Sequence, residues 1–170
     1  HDQTRRQRQM CIRDRFKEAT KISNDELLKL EVDVLIPAAL ENAITEKNVN
    51  SIKAKVIVEG ANGPTSHEAD SIIEKNGIIA VPDILANAGG VIVSYFEWVQ
   101  NRLGFKWTKS RVYRRSDSII KQSFNNVYSI SKKYKVSLRT AAYIAAIDKV
   151  SRTYKYRDGS FTFQKNGQNT

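Results

Sequence analysis

The stretch AKVIVEGANGPTSHEADSIIEKNGIIAVP (54–82) decides the fold of this chain. It contains two apolar runs rich in β-branched residues, at 54–61 and 78–82, and each predicts a buried strand. A helical pattern lies between them. A strand, a helix and a strand at this spacing indicate a crossover unit in a parallel sheet, with the right-handed connection that such units adopt.

The helix inside this stretch has recognisable ends. Thr65 and Glu68 form a Thr-x-x-Glu capping box, which predicts the start of the helix. The pattern runs through Asn76 and stops at Gly77, a residue that commonly follows a helix end. His67 falls inside the capping box, so we interpret it as a solvated first-turn residue and not as a metal ligand or a base.

The segments before this stretch extend the same pattern. VDVLIPA (32–38) predicts a further buried strand, bounded by Pro37. A Ser-x-x-Glu capping box at Ser23 predicts a short helix through Leu30. Residues 40–53 are compatible with a helix and a turn. Strands and helices therefore alternate, which is typical of an α/β fold with a parallel sheet.

The sequence after this stretch is helical. A glycine-rich turn precedes an apolar helix at 89–104, a long amphipathic helix follows at 110–134, and Ser137 caps a last helix that reaches about Tyr154. One side of the long helix is predicted to carry its apolar residues. These are Val112, Ile119, Ile120, Phe124, Val127 and Ile130.

The net charge of +10 raises the question of a nucleic-acid or anionic membrane partner. The basic excess lies in the first 15 residues, in 102–115 and beyond Lys149, whereas 24–100 is close to neutral or acidic. No segment interleaves aromatic and basic residues as a nucleic-acid module does. No apolar run approaches the roughly 20 residues that span a bilayer. We therefore predict neither a nucleic-acid nor a membrane partner.

The two ends of the chain carry no folding signal. HDQTRRQRQMCIRDR (1–15) lacks a sustained apolar period, so we interpret it as a non-native or disordered segment, and the polar end at 158–170 predicts a flexible tail. Cys11 is the only cysteine, which favours a reducing, cytoplasmic location. No His, Cys or carboxylate pair has the spacing of a zinc site, so no metal is expected.

Small and polar residues follow each predicted strand, where ligands bind in open parallel sheets. Asn62 and Asn87 offer carboxamides that can both donate and accept hydrogen bonds. Gly89 and Gly90 permit close approach of a ligand to the backbone. Glycine and asparagine are also ordinary turn residues. Because the phosphate-binding pattern G-x-G-x-x-G is absent, these residues alone predict only a nucleotide or small-molecule site.

The apolar helix at 89–104 offers little chemistry by itself. Ser94 lies mid-helix without the G-x-S-x-G pattern of a hydrolase nucleophile. Tyr95, Phe96 and Trp98 are predicted to be core aromatics.

Four ordered motifs resemble glutamate dehydrogenases. Three are similar to the coenzyme-binding domain of that family, and the fourth to its C-terminal helix: LIPAALENAIT (35–45), AKVIVEGANGPT (54–65), VPDILANAGGVIVSYFEWVQN (81–101) and LRTAAYIAAIDKV (138–150). The resemblance covers about residues 22–157. It implies the C-terminal half of a Rossmann-like parallel sheet followed by a helical segment, within a partial NAD(P)-binding domain at 16–157.

The resemblance also implies an activity. Glutamate dehydrogenases oxidatively deaminate L-glutamate to 2-oxoglutarate and ammonia, with hydride transfer to NAD or NADP, and are usually homohexamers. By position, Ala38 and Ala39 match residues that line the cofactor cleft. Asn62 and Asn87 match asparagines near the nicotinamide and its ribose.

Two positions match substrate contacts of the family. Ser94 matches a serine that hydrogen-bonds the side-chain carboxylate of the substrate, and Val91 matches a residue packed against the substrate chain. A leucine- or phenylalanine-type dehydrogenase remains the nearer alternative, although an apolar pocket would not need the Ser94 hydroxyl. A basic nucleic-acid-binding module is the remote alternative.

The family's catalytic lysine and aspartate match no position of this chain, and neither does its glycine-rich phosphate loop. We therefore expect no catalytic residue here. The 170-residue chain by itself is expected to show no turnover and weak cofactor affinity, because it lacks both a proton-transfer partner and the phosphate anchor.

Overall fold

The computed structural model describes residues 20–157, in which a three-stranded parallel sheet is followed by helices. The elements are α1 (Asn24–Leu28), β1 (Val34–Leu35), a 3-10 turn (Val49–Ser51), β2 (Val56–Val58), α2 (His67–Lys75), β3 (Ile79–Val81), α3 (Asp83–Ala86), α4 (Gly89–Leu103), α5 (Lys109–Tyr134) and α6 (Leu138–Arg157). The predicted α/β fold with a helical C-terminal segment is confirmed. The predicted end segments, 1–15 and 158–170, lie outside the described residues.

The sheet is short but regular. β2 lies between β1 and β3, with Leu35 paired to Ile57 and Ile57 paired to Ala80. The strands are shorter than the predicted runs. Beyond β2, the N–H groups of Gly60 and Ala61 both donate to the Pro37 carbonyl, at 3.0 and 2.9 Å. Two donors converge there on one acceptor, so the regular ladder ends and the chain turns away at the carboxyl edge of the sheet.

Residues 40–53, a stretch compatible with a helix and a turn, form turns and the 3-10 turn Val49–Ser51 and contain no α-helix. Asn48 instead closes a turn, because its Oδ1 accepts from the Thr45 N–H at 2.8 Å and its Nδ2 donates to the Ala43 carbonyl at 2.9 Å. Asparagine favours such local side-chain bonds over a helix interior. A single parallel bridge between Ile44 and Thr65 then ties this segment to the loop after β2.

The N-cap of α2 is Ser66, one residue after the predicted Thr65. The Ser66 hydroxyl accepts from the Ala69 N–H at 3.3 Å. Thr65 is engaged in the bridge to Ile44, and its hydroxyl is buried without a hydrogen-bond partner. The predicted helix stop is confirmed, since Gly77 adopts the left-handed conformation with φ of +71°.

Two apolar clusters hold the molecule together. The first packs α2 and the 3-10 turn against the sheet, and its fully buried members are Ile44, Val49, Ile57 and Ala69, with Ile73 almost as buried. The second joins α3, α5 and α6 through Leu85, Val127, Ala141 and Ala142. Because α3 directly follows β3, the second cluster fixes the helical segment to the carboxyl edge of the sheet.

The apolar side of α5 and the predicted core aromatics of α4 are only partly buried. On α5, Val127 is buried, but Ile119 and Phe124 face outward. On α4, only Phe96 of the three aromatics is buried. The side of α4 that carries Phe96 packs against Trp107. Tyr95 and Trp98 stack on each other on the exposed side, with Arg102 over the Trp98 ring.

Candidate functional site

An open cleft of about 790 Å³ lies at the carboxyl edge of the sheet, where β1, β2 and β3 give way to loops and to the start of α4. Of the six residues predicted to bind cofactor or substrate, five line the cleft, and Ala38 does not. The lining residues are Ala39, Leu40, Glu41, Gly60, Ala61, Asn62, Asn87, Gly90, Val91 and Ser94. The strand ends therefore bring together residues that are up to 55 positions apart in the chain, between Ala39 and Ser94.

The two asparagines form a pair on the cleft wall. Asn87 Nδ2 donates to Asn62 Oδ1 at 2.6 Å and lies 3.5 Å from the Ala61 carbonyl oxygen. Asn87 is the C-cap of α3, whereas Asn62 lies in the loop after β2. Asn62 is exposed and Asn87 is half-buried, so the wall presents amide groups that carry no net charge.

Ser94 and Val91 lie three residues apart on α4, and this spacing puts both side chains on the same side of the helix. Both are exposed. The Ser94 hydroxyl donates back to the Gly90 carbonyl at 2.8 Å. This bond needs no other element, so a ligand with a stronger acceptor can replace it.

The floor of the cleft is made of backbone and very small side chains. A Cβ added to Gly60 would meet the Ala38 Cβ at 3.0 Å. Ala38 and Gly60 therefore lie directly against each other, although Ala38 itself does not line the cleft. Gly90 has no neighbour within 4 Å of the position of an added Cβ. A flat ligand group can approach this floor closely.

Behind the cleft lies a group of charged residues that the sequence analysis did not identify. We call Glu59, Asp70, Asp83 and Arg139 the ion cluster. Arg139 Nη2 donates to Glu59 Oε1 at 2.6 Å, and Nε donates to Asp70 Oδ2 at 2.9 Å. Its Nη1 lies 3.6 Å from Asp83 Oδ1. Glu59 is completely buried.

The charges of the ion cluster support one another. Burial by itself lowers the pKa of Arg139, but the hydrogen bond and charge of Glu59, followed by those of Asp70, outweigh it and raise that pKa above its ordinary value. One signal in the sequence could have revealed this cluster. Glu59 continues a β-branched apolar run, and a carboxylate buried at the end of such a strand requires a cationic partner.

The described part of the chain offers neither a metal-binding cluster nor a membrane-spanning helix. Within residues 20–157, no group of three or more His, Cys, Asp and Glu side chains could hold a metal ion. None of the helices in that range is both long and apolar enough to cross a membrane.

A family model for glutamate/leucine/phenylalanine/valine dehydrogenases matches residues 2–158. Among curated relatives, the glutamate dehydrogenase of Thermotoga maritima is 54% identical over 142 residues, which are 84% of this chain and 34% of that protein. The cryptic catabolic NAD-specific glutamate dehydrogenase of Bacillus subtilis is 45% identical, over 85% of this chain and 35% of that protein. The chain thus spans about a third of the length of these relatives.

The solved structures agree with this similarity. The hetero-hexameric glutamate dehydrogenase from Thermus thermophilus, in a Leu-bound form, superposes with a TM-score of 0.78 at 28% identity. The match covers 82% of this chain and 34% of that chain.

Proposed function

Because the chain belongs to the glutamate/leucine/phenylalanine/valine dehydrogenase family, we propose that it forms the nicotinamide side of the active-site cleft in an NAD- or NADP-dependent glutamate dehydrogenase. The reaction would convert L-glutamate to 2-oxoglutarate and ammonia. One observation carries this proposal: Asn62, Asn87, Val91 and Ser94 line the same cleft at the carboxyl edge of the parallel sheet.

The amide pair fits a nicotinamide carboxamide. Asn87 already donates to Asn62 Oδ1, so the Asn62 Nδ2 group, which donates to no other described residue, is available to a ligand oxygen. The second N–H of Asn87 makes only a 3.5 Å contact with the Ala61 carbonyl. Donors next to accepting oxygens match a carboxamide, which needs both. When bound, the nicotinamide ring accepts a hydride from the substrate.

Ser94 and Val91 suit the substrate. In this role the Ser94 hydroxyl would exchange its bond with the Gly90 carbonyl for a charge-assisted bond to the side-chain carboxylate of glutamate. Val91, which is 76% exposed, would lie against the methylene groups of the substrate and be covered by them.

We assign no catalytic residue to this chain. Glu41 is the one titratable side chain on the cleft wall among the described residues, and neither a lysine nor a histidine lines it. Proton transfer to and from the substrate nitrogen requires such a group within hydrogen-bond reach. The proposal therefore requires a partner segment that supplies it, and it includes the homohexameric assembly expected from the resemblance.

A chimaeric enzyme tests the proposal. Residues 20–157 replace the matching segment of the Thermotoga maritima glutamate dehydrogenase, and formation of NADH or NADPH is followed with L-glutamate. We expect turnover with L-glutamate and much less with L-leucine or L-phenylalanine. The isolated 170-residue chain, assayed at the same concentration, serves as the control, and we expect no turnover from it.

Two serine variants refine the test. Ser94→Ala should raise the KM for glutamate roughly tenfold or more, the equivalent of one hydrogen bond to a charged group. Ser129→Ala is the matched control, since Ser129 is also exposed and also donates to a carbonyl four residues back, at 2.8 Å. A folded chimaera that prefers L-leucine would favour the alternative dehydrogenase class. A folded chimaera without any turnover would contradict the proposal.

A further inference from the structure

The ion cluster contacts both loops that carry the cleft asparagines. Glu59 Oε2 accepts from the Asp83 N–H at 2.9 Å. Asp83 Oδ2 accepts in turn from the Gly63 N–H at 2.8 Å. Gly63 directly follows Asn62, and Asp83 is the first residue of α3, whose C-cap is Asn87. A continuous chain of hydrogen bonds therefore joins Arg139 to the backbone on either side of the amide pair.

The members of the ion cluster are placed differently with respect to the cleft. Asp70 lies on α2 and binds Arg139 at 2.9 Å, but it contacts neither cleft loop. Asp83 has the weaker contact with Arg139, at 3.6 Å, yet it links the two loops. The two carboxylates are similarly exposed, at 24% and 19%. Their contributions to ion pairing and to loop positioning can therefore be separated.

An ion pair at the opposite end of the sheet shows what a simple surface pair looks like. Lys55 Nζ lies 2.7 Å from Asp33 Oδ1, with side chains 80% and 82% exposed. Such pairs contribute little to stability. Glu59, by contrast, is completely buried. Its partners are one guanidinium group and one backbone N–H, both of which fix geometry.

We propose that Asp83, held by Glu59 and Arg139, is a positioning residue that sets the separation of Asn62 and Asn87 and thereby tunes nicotinamide binding without touching the ligand. This inference rests on the proposed function. A misplacement of about 1 Å in a binding group is enough to weaken a contact severely, so a shift of either loop would be felt in the cleft.

The test uses the 170-residue chain and compares Asp83→Ala with Asp70→Ala. The side-chain amide resonances of Asn62 and Asn87, and hydrogen exchange at Gly63, are measured by NMR at a temperature where each variant is folded. Asp83→Ala should shift both amide resonances and speed exchange at Gly63. Asp70→Ala should leave them in place, although it removes the shorter ion pair.

The conservative variant Asp83→Asn supplies the rescue. It keeps an oxygen that accepts from the Gly63 N–H, so we expect the amide resonances to return towards their original positions. The KM for NAD of the chimaeric enzyme adds the ligand readout. We expect Asp83→Ala to raise that KM roughly tenfold, as the loss of one hydrogen bond to the ligand would.

The outcomes separate the two proposals. If Asp70→Ala shifts the cleft amides as much as Asp83→Ala does, or if neither shifts them, the ion cluster only stabilises the fold and the positioning role is wrong. If the amides shift as expected but the folded chimaeric enzyme shows no turnover, the nicotinamide function fails, and the role in ligand binding fails with it.

Discussion

The two sides of the strand ends differ in how they handle charge. Behind the sheet edge, three carboxylates surround one guanidinium group, and Glu59 is fully buried. In front of it, the cleft wall presents amides, a hydroxyl and backbone, with Glu41 as its one titratable group in the described chain. Buried charge demands matched partners. The strand ends therefore carry the stabilising ion pairs on one side and the ligand-binding groups on the other.

The largest expected effect lies on the charged side. Arg139→Met leaves Glu59 buried without its cation, which should lower the free energy of unfolding by about 3–5 kcal/mol. Arg152→Met is the control, because Arg152 lies on the same helix and pairs with Asp148 on the surface, with side chains 68% and 54% exposed. Urea unfolding measures both. If Arg139→Met lowers the free energy of unfolding no more than Arg152→Met does, the ion cluster does not have the stabilising role assigned to it.

The next largest effect on stability is expected at Gly60, which lies between the ion cluster and the cleft. Gly60→Ala places a methyl group 3.0 Å from the Ala38 Cβ and pushes apart the ends of β1 and β2. Overpacking of this kind costs about 1–3 kcal/mol. The double variant Gly60→Ala with Ala38→Gly removes the clash and should recover much of the stability. Thermal unfolding of the four proteins gives the coupling, and simple additivity would show that the contact is unimportant.

In the cleft, one substitution should stabilise the folded protein. Gly90 lies in the first turn of α4 and has open space around an added Cβ. Gly90→Ala should raise the free energy of unfolding by about 0.5–1 kcal/mol, because alanine favours a helix. Gly104→Ala is the opposite control, since Gly104 has φ of +63° and should be strained by a side chain. Chemical unfolding distinguishes the two, and destabilisation by Gly90→Ala would count against an open cleft.

The smallest effect concerns Glu26 in α1, which belongs neither to the ion cluster nor to the cleft. The backbone N–H of Ser23, followed by its hydroxyl, lowers the pKa of Glu26 below its ordinary value of 4.5. This contribution to stability is therefore present at neutral pH and is lost as the pH falls through the lowered pKa. An NMR titration of Ser23→Ala should show the pKa of Glu26 rising only partway, because the backbone N–H remains. An unchanged pKa would mean that the hydroxyl plays no part.

Much of the fold could be predicted because its signals are local. The capping box at Ser23, the Gly77 stop and the long α5 are each encoded within a few residues. The expectations that failed were overruled by particular contacts, one of them local and the other between distant residues. The turn around Asn48 displaced a helix, and the bridge between Ile44 and Thr65 moved the cap of α2 to Ser66. Neither competing contact follows from the periodicity of the sequence.

The same distinction applies to the candidate site. Asn62 and Asn87 could be brought together by reasoning because the carboxyl ends of parallel strands share one edge. For the ion cluster, the sequence indicates only that a buried Glu59 needs a cation; it does not identify Arg139, which lies 80 positions away on α6. The family resemblance singled out Ser94, which the residues alone had left inconspicuous, and its role remains a proposal.

The contact between Arg139 and Glu59 spans 80 positions of the chain. During synthesis from the N-terminus, the sheet residues emerge long before α6, and a buried carboxylate without its cation is unfavourable. The carboxyl edge of the sheet therefore reaches its final arrangement only after α6 has left the ribosome. Maturation of the cleft thus depends on a residue that is translated after all the residues that line the cleft.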